Sequence, residues 1–114
     1  MVSIPFGVPT VAKATASILE AMKNDPKDRD YYNAAVYYLQ EGQDLNQAKT
    51  WIAKAIAVNG EAYWYFRQQS LILAGLNDVD GAVAAAKSSL ALATKAGNTD
   101  YINLNEASLA EWTK

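Results

Sequence analysis

The chain has 114 residues, is 51% apolar and 19% charged, and sets 10 basic against 12 acidic side chains for a net charge of −2. It is too apolar to stay disordered, and it has no basic stripe of the kind that binds nucleic acid. Cysteine and histidine are both absent, which removes disulfides, thiol nucleophiles, Cys/His zinc sites and imidazole acid–base chemistry.

The length is that of one ordinary domain, long enough to bury a core without disulfides. Alanine dominates the apolar set, and alanine is the best helix former. No run of about 18 apolar residues occurs, so no transmembrane helix is expected. Residues 1–9, MVSIPFGVP, stand apart from the rest. Val2, Ile4 and Phe6 alternate with Ser3 and Pro5 as in a short edge strand, and two prolines and a glycine oppose a helix. The segment reads as the end of a preceding β-domain or as a frayed terminus.

From residue 10 onward the pattern predicts six helices, at 10–24, 28–41, 45–58, 60–75, 79–96 and 99–112. Thr10, Asp28, Asp44, Asp78 and Thr99 are suited to cap the helix starts. Gly42, Gly60, Gly75 and Gly97 lie at or near the ends, where a left-handed residue is wanted. Pro26 punctuates the link between the first two helices.

Shifting the chain by about 34 residues, a period typical of helix-pair repeats, superposes Tyr31 on Tyr65, Leu39 on Leu73, Asp44 on Asp78, Ala48 on Ala82 and Ala57 on Ala91. Tyr32 falls on Phe66, Leu45 on Val79 and Ile56 on Leu90. Within each unit an aromatic residue and a leucine mark the first helix. The second helix opens on Ala48 or Ala82 and continues through Ile52, Ala55 and Ile56, or through Ala86, Ser89 and Leu90, which is one helical face. Ala14, Ile18, Ala21 and Met22 extend the same register backwards. A small residue is needed where two helices joined by a tight turn nearly touch. The expected fold is therefore all-α, a helix-turn-helix solenoid of about six antiparallel helices over residues 10–114, with Tyr32, Trp51 and Phe66 in its core.

Residues Tyr32, Ala35, Val36, Leu39, Ala48 and Ile52, then Phe66, Gln69, Ser70, Leu73, Ala82 and Ala86, resemble the tetratricopeptide-repeat (TPR) pattern of W-x2-L-G-x2-Y followed by A-x3-F. The Leu-Gly pair of that pattern is missing from both units, so packing angles that depart from the family's are expected. The stretches YYNAAVYYLQEGQDLNQAKTWIAKAI, RQQSLILAGL and AAAKSSLALATKAGNTDYINLNEASLAEW are also similar to the C-terminal helical region of a family of exported bacterial proteins of unknown function. There a β-rich domain precedes the helices, and VSIPF resembles its last strand. The resemblance implies a part of a longer envelope protein, exported or periplasmic. It implies no mechanism.

In a TPR-like array the first helix of each pair lines a concave face. The resemblance places Asn33, Tyr37 and Gln40, then Trp64, Arg67, Gln68 and Leu71, then Tyr101 and Asn105 on it. Trp, Tyr and Arg dominate binding hot spots, and amide side chains can grip a peptide backbone. Trp64 and Tyr37 suit either groove or core. The family's basic clamp for a C-terminal carboxylate is matched only by Asn33 and Arg67.

Chemistry finds little footing. The carboxylates lie mostly at helix ends, where they cap and meet the helix dipole. Asn77–Asp80 and Asn24–Asp28 lack the acidic ladder of a calcium loop and read as turns. Ser88 and Ser89 have no activating base. The sequence thus reads as a non-catalytic peptide-binding module for a protein partner, with no cofactor, metal or nucleic acid. The second reading is a structural appendage that supports a preceding β-domain or forms a homodimer through Leu104, Leu109 and Trp112.

Overall fold

The computed structural model describes residues 19–20, 22–23 and 25–114. Among these the chain is all-helical: α1 (Asp28–Glu41), α2 (Leu45–Val58), α3 (Tyr63–Gly75), α4 (Val79–Ala96) and α5 (Thr99–Trp112). The extended segment expected at 1–9 and most of the helix expected at 10–24, with its cap Thr10, lie outside the described residues. Leu19 and Glu20 are helical, and Met22 packs against the core.

Four of the five helix starts agree with the sequence reading, and the caps explain where they fall. Asp44 caps α2 by accepting from the backbone N–H of Asn46 and Gln47 at 3.1 and 3.2 Å. Asp78 does the same for α4 through Gly81 at 3.0 Å. These two aspartates are 34 residues apart and do one job. Asp44→Ala should therefore lower stability by about 1 kcal/mol, and Asp78→Ala by a similar amount, measured as the shift of the urea midpoint at constant slope. A loss near zero at both would mean that water serves those N–H groups as well.

Two caps lie one residue earlier than expected. The residue before α1 is Lys27, whose N–H donates to Asp30 Oδ2 at 2.9 Å, which leaves the Asp28 carboxylate free for another element. The cap of α5 is Asn98 rather than Thr99, because the Asn98 Oδ1 accepts from the Tyr101 N–H at 3.1 Å. Helix α3 starts three residues after the expected position 60. Asn59 folds the intervening residues into a turn, its Oδ1 accepting from Glu61 N and its carbonyl from Ala62 N.

Of the four glycine stops, Gly42 and Gly97 adopt the left-handed conformation, φ 66° and 76°. After α3 that role falls to Asn77, φ 65°, one of the few residue types that tolerates it. Gly75 instead permits a close approach: a Cβ there would come within 2.9 Å of Leu45 Cδ1 at the start of α2.

The core follows the repeat. Ala48 and Ala82, Ile52 and Ala86, and Ala55 and Ser89 are each pairs 34 residues apart, and all six residues are 0% exposed. Trp51 and Tyr38 are buried against each other, with ring centroids 4.7 Å apart. Tyr32 and Phe66, expected in the core, are only half-buried. Each helix packs on the next in sequence, most extensively α3 on α4, while α1 also touches α3 and α3 touches α5. The one ion pair among the described residues, Lys114 with Glu111, is exposed, a class of contact that contributes little. Apolar packing and hydrogen bonds hold these helices together.

Candidate functional site

The N-terminal ends of α1 and α3 and the α2–α3 turn surround an open cleft of about 440 Å³. Its walls are Lys27, Asp28, Arg29, Asp30, Tyr32 and Asn33 from the start of α1, Asn59 from the turn, and Trp64 and Tyr65 from α3. The consecutive aromatics Tyr63, Trp64 and Tyr65 point in different directions because a helix turns 100° per residue. Tyr65 is buried toward α1, its ring 4.9 Å from that of Tyr32. Tyr63 meets Tyr101 of α5 at 5.0 Å. Trp64 lies between them, half-buried, and contacts both neighbouring rings edge-on.

The Tyr65 hydroxyl donates to Asp28 Oδ2 at 2.7 Å. This bond ties the first turn of α1 to α3 and forms the floor of the cleft. Burial first, and then the bond to Asp28, push the Tyr65 pKa up to about 12 from an ordinary 10.0. The folded chain thus holds this proton more tightly than the unfolded chain does. The stabilisation is complete below pH 10.0 and is lost as the pH rises toward about 12. Burial raises Tyr32 and Tyr38 as well, so Tyr65→Phe should shrink this alkaline loss of stability without abolishing it. Urea midpoints measured across the alkaline range would test it, and an unchanged slope would remove Tyr65 from the account.

The nine residues that the resemblance placed on a concave face divide into separate groups. Asn33 and Trp64 both line the cleft. Gln40 is exposed further along α1, and Tyr37 is half-buried against the core. Gln68 and Leu71 are half-buried on α3. Arg67, Tyr101 and Asn105 belong to a junction between α3 and α5. Arg67 Nη1 donates to the Leu104 carbonyl at 3.2 Å and to Ser108 Oγ at 2.8 Å, and lies 3.5 Å from Asn105 Oδ1. Asn105 is fully buried and donates to Ser89 Oγ at 2.8 Å, and Ser89 in turn donates to the Tyr63 carbonyl at 2.8 Å.

This corrects two of the expected contact residues. Asn105 has no surface to offer a partner, and Arg67 has its guanidinium turned onto the last helix. Arg67 is turned onto α5, where Leu104 and Ser108 take its guanidinium, and Asn105, on α5 itself, is turned onto Ser89 of α4. The start of α1 supplies Lys27 and Arg29, and the α2–α3 turn supplies Asn59, three lining residues that the sequence reading passed over. A charged first turn resembles ordinary helix capping in sequence, and nothing in its spacing reveals that α3 begins beside it.

No group of three or more acidic residues that could hold a metal occurs among the described residues. The cleft offers instead an aromatic surface, amides and charges of both signs in equal number, which suits non-covalent recognition. No protein-family model matches the chain, and no curated protein does.

Proposed function

We propose that this chain is a non-catalytic interaction module, a TPR-like solenoid of helix pairs that holds a protein or peptide partner at the cleft between α1 and α3. The observation that carries the reading is the placing of Trp64 with Asn33 and Asn59 in the lining of that cleft. A half-exposed tryptophan flanked by amides gives a large apolar contact together with groups that can bond a peptide backbone. The repeat supports the architecture: positions 34 residues apart share burial and capping, and α3 touches α1 on one side and α5 on the other, as the first helices of successive pairs would. The similarity to exported proteins suggests the cell envelope as the place to look.

The reading as a self-associating appendage has less support. Trp112 packs inward on Leu73, Ala82 and Ala85, and Leu109 is half-buried. Of the three residues proposed for that contact, only Leu104, 46% accessible, is exposed.

The test uses Asn33→Ala with Trp64→Ala, which leaves the α3–α5 junction intact. Arg67 is left unchanged because its loss would loosen α5. Wild type and double variant, both verified as folded by circular dichroism, are immobilised and exposed to a bacterial envelope extract. The expected result is a partner retained by the wild type and reduced at least about tenfold by the variant. Equal retention would sink the cleft as the contact site.

A further inference from the structure

We infer that the cleft accepts an uncharged, proline-rich segment in the polyproline II conformation. This rests on the interaction-module reading and narrows its partner. Three independent features of the cleft and its surroundings point the same way.

The first is a continuous series of aromatic rings. Centroid separations run 4.9 Å from Tyr32 to Tyr65, 5.8 Å from Tyr65 to Trp64, 4.9 Å from Trp64 to Tyr63 and 5.0 Å from Tyr63 to Tyr101. The series crosses from α1 over α3 to α5; Tyr32, Tyr65 and Trp64 line the cleft, Tyr63 and Tyr101 continue the series beyond it, and all but Tyr65 are part-exposed. Rings that brace one another are already ordered, so binding against them immobilises little. Aromatic-lined grooves are the usual seat of polyproline II helices, whose own conformation is also preformed.

The second is charge. Lys27 and Arg29 are offset by Asp28 and Asp30, so the lining carries no net charge. Each carboxylate is also engaged, Asp28 by the Tyr65 hydroxyl and Asp30 by the Lys27 N–H. An acidic or a basic segment would meet a like charge here as often as an opposite one. An uncharged segment meets no such conflict.

The third is an excess of donors. Asn59 Oδ1 is taken by the Glu61 N–H, which leaves its Nδ2 to donate outward. Among the described residues no hydrogen bond engages the Asn33 amide, the Trp64 indole N–H or the Arg29 guanidinium. An ordinary extended peptide brings as many N–H groups as carbonyls. A run of prolines brings carbonyls only, since proline has no N–H, and these stand exposed along a polyproline II helix.

The experiment titrates the isotope-labelled full chain with a capped nonaproline, using a capped Gly-Ser peptide of equal length as the control, and follows the Trp64 indole and the Asn33 and Asn59 side-chain amide signals by NMR. Saturable shifts of these signals by nonaproline alone are expected, with affinity changing less than about twofold over a tenfold rise in salt. Trp64→Ala should weaken binding at least about tenfold. Should that variant fold poorly, Trp64→Phe keeps a ring, removes the indole donor and should give a smaller loss. Absence of saturable binding, equal binding of the Gly-Ser peptide, or unchanged affinity in a folded Trp64 variant would overturn the inference. A protein partner held through Asn33 and Trp64 that nonaproline fails to displace would overturn it too, while leaving the interaction module standing.

Discussion

Ile72→Ala is expected to destabilise the chain by about 3–4 kcal/mol, the largest effect of any single truncation proposed. Ile72 and Ile52 are the largest fully buried side chains, and the other fully buried apolar positions are alanines at Ala35, Ala48, Ala55, Ala62, Ala82, Ala86 and Ala93. A core built mostly on alanine gains its stability from close backbone approach, with few large side chains able to shift into a void. The cavity left at Ile72 should therefore persist, which places the cost toward the upper part of the usual range for removing a buried aliphatic side chain. Small domains are stable by only about 5–15 kcal/mol, so the urea midpoint should fall steeply while the slope stays constant. A loss below about 1 kcal/mol would mean that α3 relaxes against α2 and closes the space, and that packing here is looser than the geometry implies.

The second large effect is at Asn105. Asn105→Ala should cost about 2–3 kcal/mol, because it removes the hydrogen bond to Ser89, opens space beside it and takes an acceptor away from Arg67. The chain of donors runs in one direction, from Asn105 to Ser89 to the Tyr63 carbonyl, and joins α5, α4 and α3 in a single line. Asn105→Leu discriminates between volume and polarity. If polarity dominates, leucine restores the volume and still costs about 2 kcal/mol, since the Ser89 hydroxyl loses a partner. Adding Ser89→Ala to Asn105→Leu should then recover about 1 kcal/mol, because the Tyr63 carbonyl retains its bond within α3 and no buried hydroxyl is left short of a donor. A leucine variant as stable as wild type would show instead that Asn105 matters only as filler.

The helices were largely legible because their signals are local. Asp44 and Asp78 mark starts, Gly42 and Gly97 mark stops, and the burial of Ala48 with Ala82 and of Ile52 with Ala86 follows from helical spacing alone. The misplaced caps, at Lys27 and Asn98, arise where two adjacent polar residues compete for one role, and the late start at Tyr63 arises from the turn that Asn59 folds before it. Asp28 and Thr99 are both good caps by type, but Asp28 is drawn away by Tyr65 from 37 positions further along the chain, and no pattern within a single helix records that pull.

The candidate site was harder to read for the same reason. Trp64 and Asn33 were identified by type and register, and both line the cleft. Arg67 and Asn105 were identified by the same reasoning and do not present themselves to a partner. A polar side chain on the inner side of a helix looks alike in sequence whether it awaits a ligand or bonds to the neighbouring helix. Only the position of α5, which brings Leu104, Asn105 and Ser108 within reach of Arg67, separates the two outcomes.

The way each helix leans mainly on its neighbours in sequence also governs how the chain reaches its native state. Contacts between adjacent helices close short stretches of chain, so little configurational freedom is surrendered before packing begins to compensate. Helical proteins of this kind fold in roughly microseconds to milliseconds. The α3–α4 hairpin, with the most extensive pairing, is the natural place for the transition state to gather, and growth can then proceed outward in either direction. Helix α5, whose only fully buried side chain is an amide, would be the last to dock and the first to exchange its amide hydrogens.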